Sequence, residues 1–149
     1  MDTHELVQRI RRPSIDSSTL DALALTVEQL CCQYASRDAT ELITESREWL
    51  SRITHLLDER LTLDQHKSVL DAAGWLTLLI GCVEYDTGQY RGAEATCIGA
   101  LQLGSEAANP SISGWAHEMR AWFALTNGRY REVIEAAQAG QDISPGRSV

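Results

Sequence analysis

Residues 74–94 read GWLTLLIGCVEYDTGQYRGAE, and residues 114–134 read GWAHEMRAWFALTNGRYREVI. The two stretches align at an offset of 40 residues, with Gly88 of the TGQY motif over Gly128 of the NGRY motif. In each stretch an apolar pattern typical of a helix leads into a glycine turn, and a second helical pattern follows. This self-similarity predicts stacked helix-turn-helix repeats, in which each helix pair buries its apolar face against its neighbours. Such a fold points to a binding surface more than to a catalytic pocket.

The rest of the chain supports an all-α fold. Its 149 residues are enough for one domain with a hydrophobic core, and 44% of them are hydrophobic. The chain has only 3 prolines, and neither alternating apolar runs nor hairpin turn motifs indicate strands. Six helices are predicted, at about 19–35, 39–60, 62–86, 90–107, 111–126 and 130–142.

These helices are expected to form three antiparallel pairs, at about 19–60, 62–107 and 109–145, within a repeat domain of residues 17–149. Residues 1–16 are expected to be an N-terminal linker, because Pro13 disfavours a helix before it. Thr62 and Gln65 have the spacing of a capping box at the start of the third helix. Asn109-Pro110 marks the start of the fifth.

The net charge argues against nucleic-acid binding by this domain. The formal net charge is −8, and an acidic surface is repelled by phosphate backbones. The sequence has no run of 18 apolar residues and no apolar signal core at its N-terminus. We therefore expect a cytoplasmic protein that does not contact a membrane.

The second and third pairs resemble the tetratricopeptide repeat, a helix pair with Leu-Gly in its first helix and Gly-x-Tyr-x-x-Ala at its turn. The resemblance implies a right-handed superhelix of about three antiparallel helix pairs. Val133 stands where the family has a small residue, and the period is 40 residues where the family has 34. The matching residues are Gly81, Gly88, Tyr90, Ala93, Ala100 and Leu101 in one repeat and Ala121, Gly128, Tyr130, Ala137 and Pro145 in the next.

The chain as a whole is similar to the tetratricopeptide-type C-terminal domain of actinobacterial helix-turn-helix transcriptional regulators of the Xre class. The segment ELITESREWLSRITHLLDERLTLDQHKSVLDAAGWLTLLIGCVEYDTGQY, followed by GWAHEMRAWFALTNGRY, carries this resemblance. It implies the sensor or oligomerisation part of a regulator whose DNA-binding head is absent from this sequence. Either the chain is a fragment of such a regulator, or it is a stand-alone relative that acts as an adaptor or scaffold between proteins.

In the tetratricopeptide fold the first helix of each pair lines a concave groove. The resemblance places aromatic and apolar side chains there, together with Glu118 as a polar anchor and Asp71 or Asp86 as a second one. We expect this groove to hold a peptide, a small effector or a protein partner. The alternative is that the same aromatic residues pack between helices as ordinary core. The groove candidates are Trp75, Leu78, Cys82 and Tyr85 from one repeat, Trp115, Glu118, Trp122 and Leu125 from the next, and Val27, Cys31 and Tyr34 from the first pair.

No motif nominates a reaction, a metal or a cofactor. The sequence contains no GxSxG, no HExxH, no P-loop and no glycine-rich dinucleotide turn. The four cysteines match no zinc spacing, so they are interpreted as reduced, mostly buried thiols. An all-α enzyme is therefore the weakest of the three function classes. Apolar surface near Val133, Ile134 and Ile143 also predicts self-association, such as a homodimer.

Overall fold

The computed structural model describes residues 2–10 and 14–144, and helices make up all of the regular secondary structure in these two segments. The prediction of an all-α protein is thereby confirmed. Pro13, Pro145 and the end of the third predicted pair lie outside the described residues. The helices are α1 (Thr3–Ile10), α2 (Ser17–Cys32), α3 (Ala39–Leu56), α4 (Leu63–Asp86), α5 (Tyr90–Glu106), α6 (Pro110–Thr126) and α7 (Tyr130–Ile143).

Local hydrogen bonds explain where the helices begin. The side chain of Asp38 accepts from two backbone N–H groups at the start of α3. Thr62 and Gln65 form the predicted capping box, each side chain bonding the other's backbone N–H. Asn109 caps α6, and Pro110 occupies its first turn, where the missing N–H costs nothing. These caps satisfy donors that a helix N-terminus leaves without intrahelical partners.

The two repeat turns share one backbone geometry. Gly88 and Gly128 have φ values of +81° and +70°, a left-handed conformation that glycine adopts without steric cost. The residue after each glycine donates its N–H to a carbonyl five residues earlier, at 2.8 Å in both turns. The 40-residue echo in the sequence therefore corresponds to two equivalent helical hairpins, α4–α5 and α6–α7.

Helix α4 is the central helix, and it packs against α2, α3, α5 and α6. Leu76 and Val83 belong to a core shared with α2 and α3, whereas Leu78 and Tyr85 belong to a second core shared with α5 and α6. Because α4 is covered on several sides, its sequence is apolar nearly all round. Its length and mean hydropathy would also suit a membrane span, but 78% of the apolar window is buried inside the protein.

The N-terminal region differs from the prediction in two respects. Residues 1–16 were expected to be a linker, yet Thr3–Ile10 forms a helix, and the end of the segment is tied to the domain. The N–H of Ser14 donates to the carbonyl of Arg60 at 3.0 Å, and the Gln65 amide donates to the carbonyl of Ile15 at 3.0 Å. In addition, α2 and α3 pack more extensively against α4 than against each other. The first predicted pair therefore does not repeat the hairpin geometry of the other two.

Candidate functional site

A groove runs between α6 and α7 and encloses about 470 Å³. Trp115 and Glu118 of α6 line it, both with exposed side chains. Its floor and its other wall are made mostly of small residues, such as Gly114 and Ala137, and also include Gln141 of α7. The groove combines an apolar aromatic surface with one carboxylate, which suits a partner that is partly apolar and carries a hydrogen-bond donor or a cation.

The Glu118 carboxylate lacks an ion-pair partner among the residues that the structure describes. The other two predicted anchors are already engaged. Asp71 accepts a hydrogen bond from the Asn109 amide at 2.9 Å. Asp86 accepts from the Tyr34 hydroxyl across the α2–α4 contact. Among the three carboxylates, Glu118 is the one whose geometry leaves it available to a ligand.

A cluster of aromatic rings lies where α4 ends. Tyr85 is stacked on Phe123, with ring centroids 4.2 Å apart and an angle of 5° between the planes. Trp122 and Tyr90 flank Tyr85 at 5.2 Å and 4.9 Å. The Tyr85 hydroxyl also hydrogen-bonds to Thr126 and accepts from the Asn127 amide. Trp122 is 42% exposed, so the outer edge of this cluster is open to solvent.

Tyr34 extends the surface beside α4 toward α2. Burial and the hydrogen bond to Asp86 raise the pKa of the Tyr34 phenol well above its ordinary range. Cys82 is half-buried on α4, with its Sγ 3.8 Å from the Met119 Sδ. Of the predicted groove residues, Tyr34 and Cys82 lie near Asp86, which accepts the hydrogen bond from Tyr34. None of these three residues lines the α6–α7 groove.

Several predicted groove residues are instead part of the core. Leu78 is 5% exposed and Tyr85 is 9% exposed, because α6 covers this side of α4. Val27, which was grouped with Tyr34, is 3% exposed and packs in the core of α2, α3 and α4. Trp75 is half-buried and contacts both cores. The core interpretation therefore holds for Leu78, Tyr85 and Val27, whereas Trp115 and Trp122 have nearly half of their surface exposed.

Three of the four cysteine side chains lie in surroundings that disfavour the ionised thiolate form. Burial raises the pKa of Cys31, Cys82 and Cys97 to about 11, and buried thiols of this kind are poor nucleophiles. Cys97 donates from its Sγ to the carbonyl of Ala116 at 3.0 Å. Within residues 2–10 and 14–144, no three His, Cys, Asp or Glu side chains come together as metal ligands would.

One buried polar network was not predicted. The Glu84 carboxylate is 6% exposed, although it lies in the apolar run of α4. Arg47 of α3 donates to it at 2.8 Å, and the Thr96 hydroxyl of α5 donates at 2.6 Å. Gly92 also lies beside this carboxylate, since a Cβ built on it would be 3.6 Å from the Glu84 Cδ. The signal in the sequence was an acidic residue within LLIGCVEY, but its partners lie 37 and 12 positions away.

No protein-family model, curated protein or solved structure matches this chain. The resemblance to the tetratricopeptide repeat stays a prediction, and it rests on residues of the chain itself. These are the two turn glycines and the small residues, such as Gly81, where helices approach closely. A Cβ built on Gly81 would lie 3.0 Å from the Met119 Cε.

Proposed function

We propose that this chain is a regulatory binding domain with a tetratricopeptide-like superhelical arrangement. It serves as the sensor or oligomerisation part of a transcriptional regulator, acts in the cytoplasm, and binds a peptide, a small effector or a protein partner. The observation that carries the proposal is the exposure of two tryptophans on one face of α6, Trp115 at 47% and Trp122 at 42%. Tryptophan side chains are enriched among residues that dominate binding energy.

The mechanism would be a change in the packing of the helical hairpins when a partner binds. Trp122 contacts Tyr85 of α4 and Phe123 of α6. A ligand that contacts Trp122 would therefore lie next to the contact between the two hairpins. Binding can shift that contact only if the ligand has a different affinity for the two arrangements. The negative charge of the domain is consistent with a separate part of the regulator contacting DNA.

The alternative function is a stand-alone adaptor that holds one protein partner constitutively. The same exposed face of α6 would serve it. Genomic context separates the two functions. An in-frame helix-turn-helix segment upstream supports the regulator, whereas its absence favours the adaptor.

Photo-cross-linking tests the binding face directly. Benzoylphenylalanine would replace Trp122 in one protein and Leu63 in a matched control, since Leu63 is 90% exposed at the other end of α4. We expect a discrete adduct from position 122 and none of the same mass from position 63. The cross-linked partner is then purified and titrated against Trp122→Ala and Leu63→Ala.

We expect Trp122→Ala to weaken binding about thirtyfold, the effect of losing a hot-spot residue worth about 2 kcal/mol. Leu63→Ala should leave the affinity unchanged. Equal adducts at both positions, or equal affinities of the two variants, would contradict the proposed binding face. A loss of helicity in Trp122→Ala would instead assign the residue to the core.

A further inference from the structure

Helix α6 packs against the α4–α5 hairpin through small residues of that hairpin. Ile112 lies over Gly74, where a Cβ would be 2.7 Å from the Ile112 Cδ1. Met119 lies over Gly81, where a Cβ would be 3.0 Å from the Met119 Cε. At the start of α6, the Asn109 amide donates to Asp71 at 2.9 Å. In each of these contacts the residue of α6 is 38 positions beyond its partner on α4, so the two helices run parallel in one register.

Two further contacts come from α5. Cys97 donates from its Sγ to the backbone carbonyl of Ala116 at 3.0 Å. A Cβ on Gly104 would lie 2.9 Å from the backbone nitrogen of Ser113. Five positions of the α4–α5 hairpin thus form the seat of α6, namely 71, 74 and 81 on α4 and 97 and 104 on α5.

The same five positions recur 40 residues later. All five counterparts line the groove between α6 and α7, and all five are small. Because the turns of the two hairpins have matching hydrogen bonds and φ values, the second hairpin presents its counterparts in a similar arrangement. Two of them differ in size, since Ala121 and Ser144 carry side chains where the first seat has Gly81 and Gly104. The counterparts are Ser111, Gly114 and Ala121 on α6 and Ala137 and Ser144 on α7.

The seat of α6 and the α6–α7 groove differ in how far their residues are buried. Cys97 is fully buried under α6, whereas its counterpart Ala137 is exposed. Tyr85 is 9% exposed, whereas its counterpart Leu125 is 50% exposed. None of the seven described helices lies over the second groove as α6 lies over the first. The second hairpin therefore repeats a helix-binding seat that no helix among residues 2–10 and 14–144 covers.

One position of the α6–α7 groove differs in chemical character from its counterpart in the first hairpin. Glu118 stands where the first hairpin has Leu78. The register of α6 on α4 places Ala116 opposite Leu78, since these residues are also 38 positions apart. A helix seated in the second groove in that register would bring its own residue at the Ala116 position toward Glu118. A carboxylate there favours a cation on the incoming helix and disfavours an acidic residue.

We propose that the α6–α7 groove is a docking site for an α-helix of a partner protein, bound parallel to α6 in the register that α6 has on α4. This helix lies farther from the groove floor than α6 does from α4 and α5, because Ala121 and Ser144 carry side chains where the first seat has Gly81 and Gly104. The helix carries an aliphatic side chain toward Gly114, beside Ser144, whose Cβ lies 3.3 Å from the position that a Cβ on Gly114 would occupy. It also carries a lysine or arginine toward Glu118. This inference shares Trp115 with the proposed function, since Trp115 lines the groove and Trp122 does not. The cross-link from position 122 and the peptide titration described below can therefore fail separately.

Charge also decides between this partner and a second copy of the chain. A second copy of the chain carries the same formal net charge of −8, so two copies repel each other. Like charges placed opposite each other weaken an interface. The groove therefore favours a partner with a basic residue over self-association at this face.

The test uses the intact chain and two synthetic helices that resemble the natural occupant of the first seat. Both peptides correspond to residues 109–127, one with Ala116→Lys and the other with Ala116→Glu. Fluorescence anisotropy of the labelled peptides measures their affinities for the protein. We expect the lysine peptide to bind at least about tenfold more tightly, because it pairs with Glu118 and the glutamate peptide repels it.

Three protein variants test where the peptide binds and which residue sets its preference. Ala137→Phe fills the groove and should abolish binding of the lysine peptide. Ala95→Phe, the same change at an exposed position of α5 outside the groove, should leave binding intact. Glu118→Lys should reverse the preference, so that the glutamate peptide binds better. Circular dichroism melting curves show that each variant is folded before the affinities are compared.

Equal affinities of the two peptides, or no binding of either, would overturn the proposal. Binding that survives Ala137→Phe would place the peptide on the α4–α5 seat instead, by displacement of α6, and would also overturn it. Light scattering completes the test. A dimer of the intact chain that Ala137→Phe dissociates would show that a second copy fills the groove, contrary to the proposal.

Discussion

The δ-methyl carbon of Ile112 lies over Gly74, 2.7 Å from the position that a Cβ on Gly74 would occupy. The absence of a side chain on Gly74 therefore allows α6 to cross close to α4. The counterpart of Gly74 in the second hairpin is Gly114, which lies in the α6–α7 groove. A Cβ on Gly114 would lie 3.3 Å from the Ser144 Cβ of its own hairpin and would meet no side chain of a further described helix, whereas Gly74 lies under a residue of the next hairpin.

We predict that the same substitution at two glycines of α5 changes the free energy of unfolding in opposite directions. A Cβ on Gly104 would lie 2.9 Å from the backbone nitrogen of Ser113, whereas a Cβ on Gly99 would meet nothing within 4 Å. Gly104→Ala should lower the free energy of unfolding by about 1–3 kcal/mol, because the backbone of α6 must shift. Gly99→Ala should raise it by about 0.5–1 kcal/mol through helix propensity. Urea denaturation measures both, and a stabilised Gly104→Ala would refute the close approach of α5 and α6.

The buried carboxylate of Glu84 predicts a large effect of removing its partner. Arg47→Ala should lower the free energy of unfolding by about 1–3 kcal/mol, because Glu84 loses a charged hydrogen-bond donor while it stays buried. Arg131 pairs with Glu135 at 3.3 Å and is 93% exposed, so it provides the matched control. Arg131→Ala should change the stability by less than about 0.5 kcal/mol. Equal losses in the two variants, measured in urea, would contradict the structural role of the Arg47–Glu84 pair.

His117 predicts a dependence of stability on pH. Its Nδ1 is buried and has no hydrogen-bond partner among the described atoms. Burial, and to a lesser extent Arg120, lower the pKa of His117 below its ordinary value of 6.5. The unfolded chain thus binds a proton first, and the free energy of unfolding falls as the pH drops from 6.5 toward the lower folded-state pKa.

The variant His117→Gln should remove this component, so that stability in mild acid declines less steeply than in the natural protein. Thermal unfolding from pH 8 down to pH 5 measures the difference. The contribution of His117 ionisation should vanish at pH 8, which serves as the internal control. An identical slope in both proteins between pH 6.5 and 5 would show that His117 is not responsible.

The thiols should differ strongly in their rate of alkylation. Cys32 is exposed, whereas burial raises the pKa of Cys31, Cys82 and Cys97 to about 11. With a maleimide reagent at pH 7.5, we expect one fast reaction at Cys32 and slow reactions at the other three. Cys32→Ser should abolish the fast phase, which mass spectrometry of tryptic peptides can follow. Fast labelling of Cys97 in the native protein would contradict the seating of α6 on α5.

The helix limits could be predicted because their signals are local. Thr62 and Gln65 lie three positions apart, and the glycine of each repeat turn lies two positions after the last residue of the turn's first helix, Asp86 or Thr126. A helix over Thr3–Ile10 was missed, since Pro13 was taken to exclude helix from the whole preceding segment. That proline disfavours helix for the residue directly before it and leaves earlier residues free to be helical.

The candidate site was predicted less well, because exposure depends on partners that are distant in sequence. Leu78 and Glu118 occupy equivalent repeat positions, but α6 covers the first and no described helix covers the second in the same way. The Tyr34–Asp86 hydrogen bond joins residues 52 positions apart. Periodicity could place each residue on a helix face, but it could not determine which face a later helix would cover.

The most direct measurement of the helix-docking claim is an isotope-filtered NMR experiment on the intact chain with the Ala116→Lys peptide. In the parallel register, the methyl groups of the peptide isoleucine should show nuclear Overhauser contacts to the Hα protons of Gly114. The peptide methionine should show contacts to the methyl group of Ala121. Contacts to Gly74 and Gly81 instead, a reversed peptide direction, or an absence of contacts to α6 and α7 would contradict a second helix-binding seat.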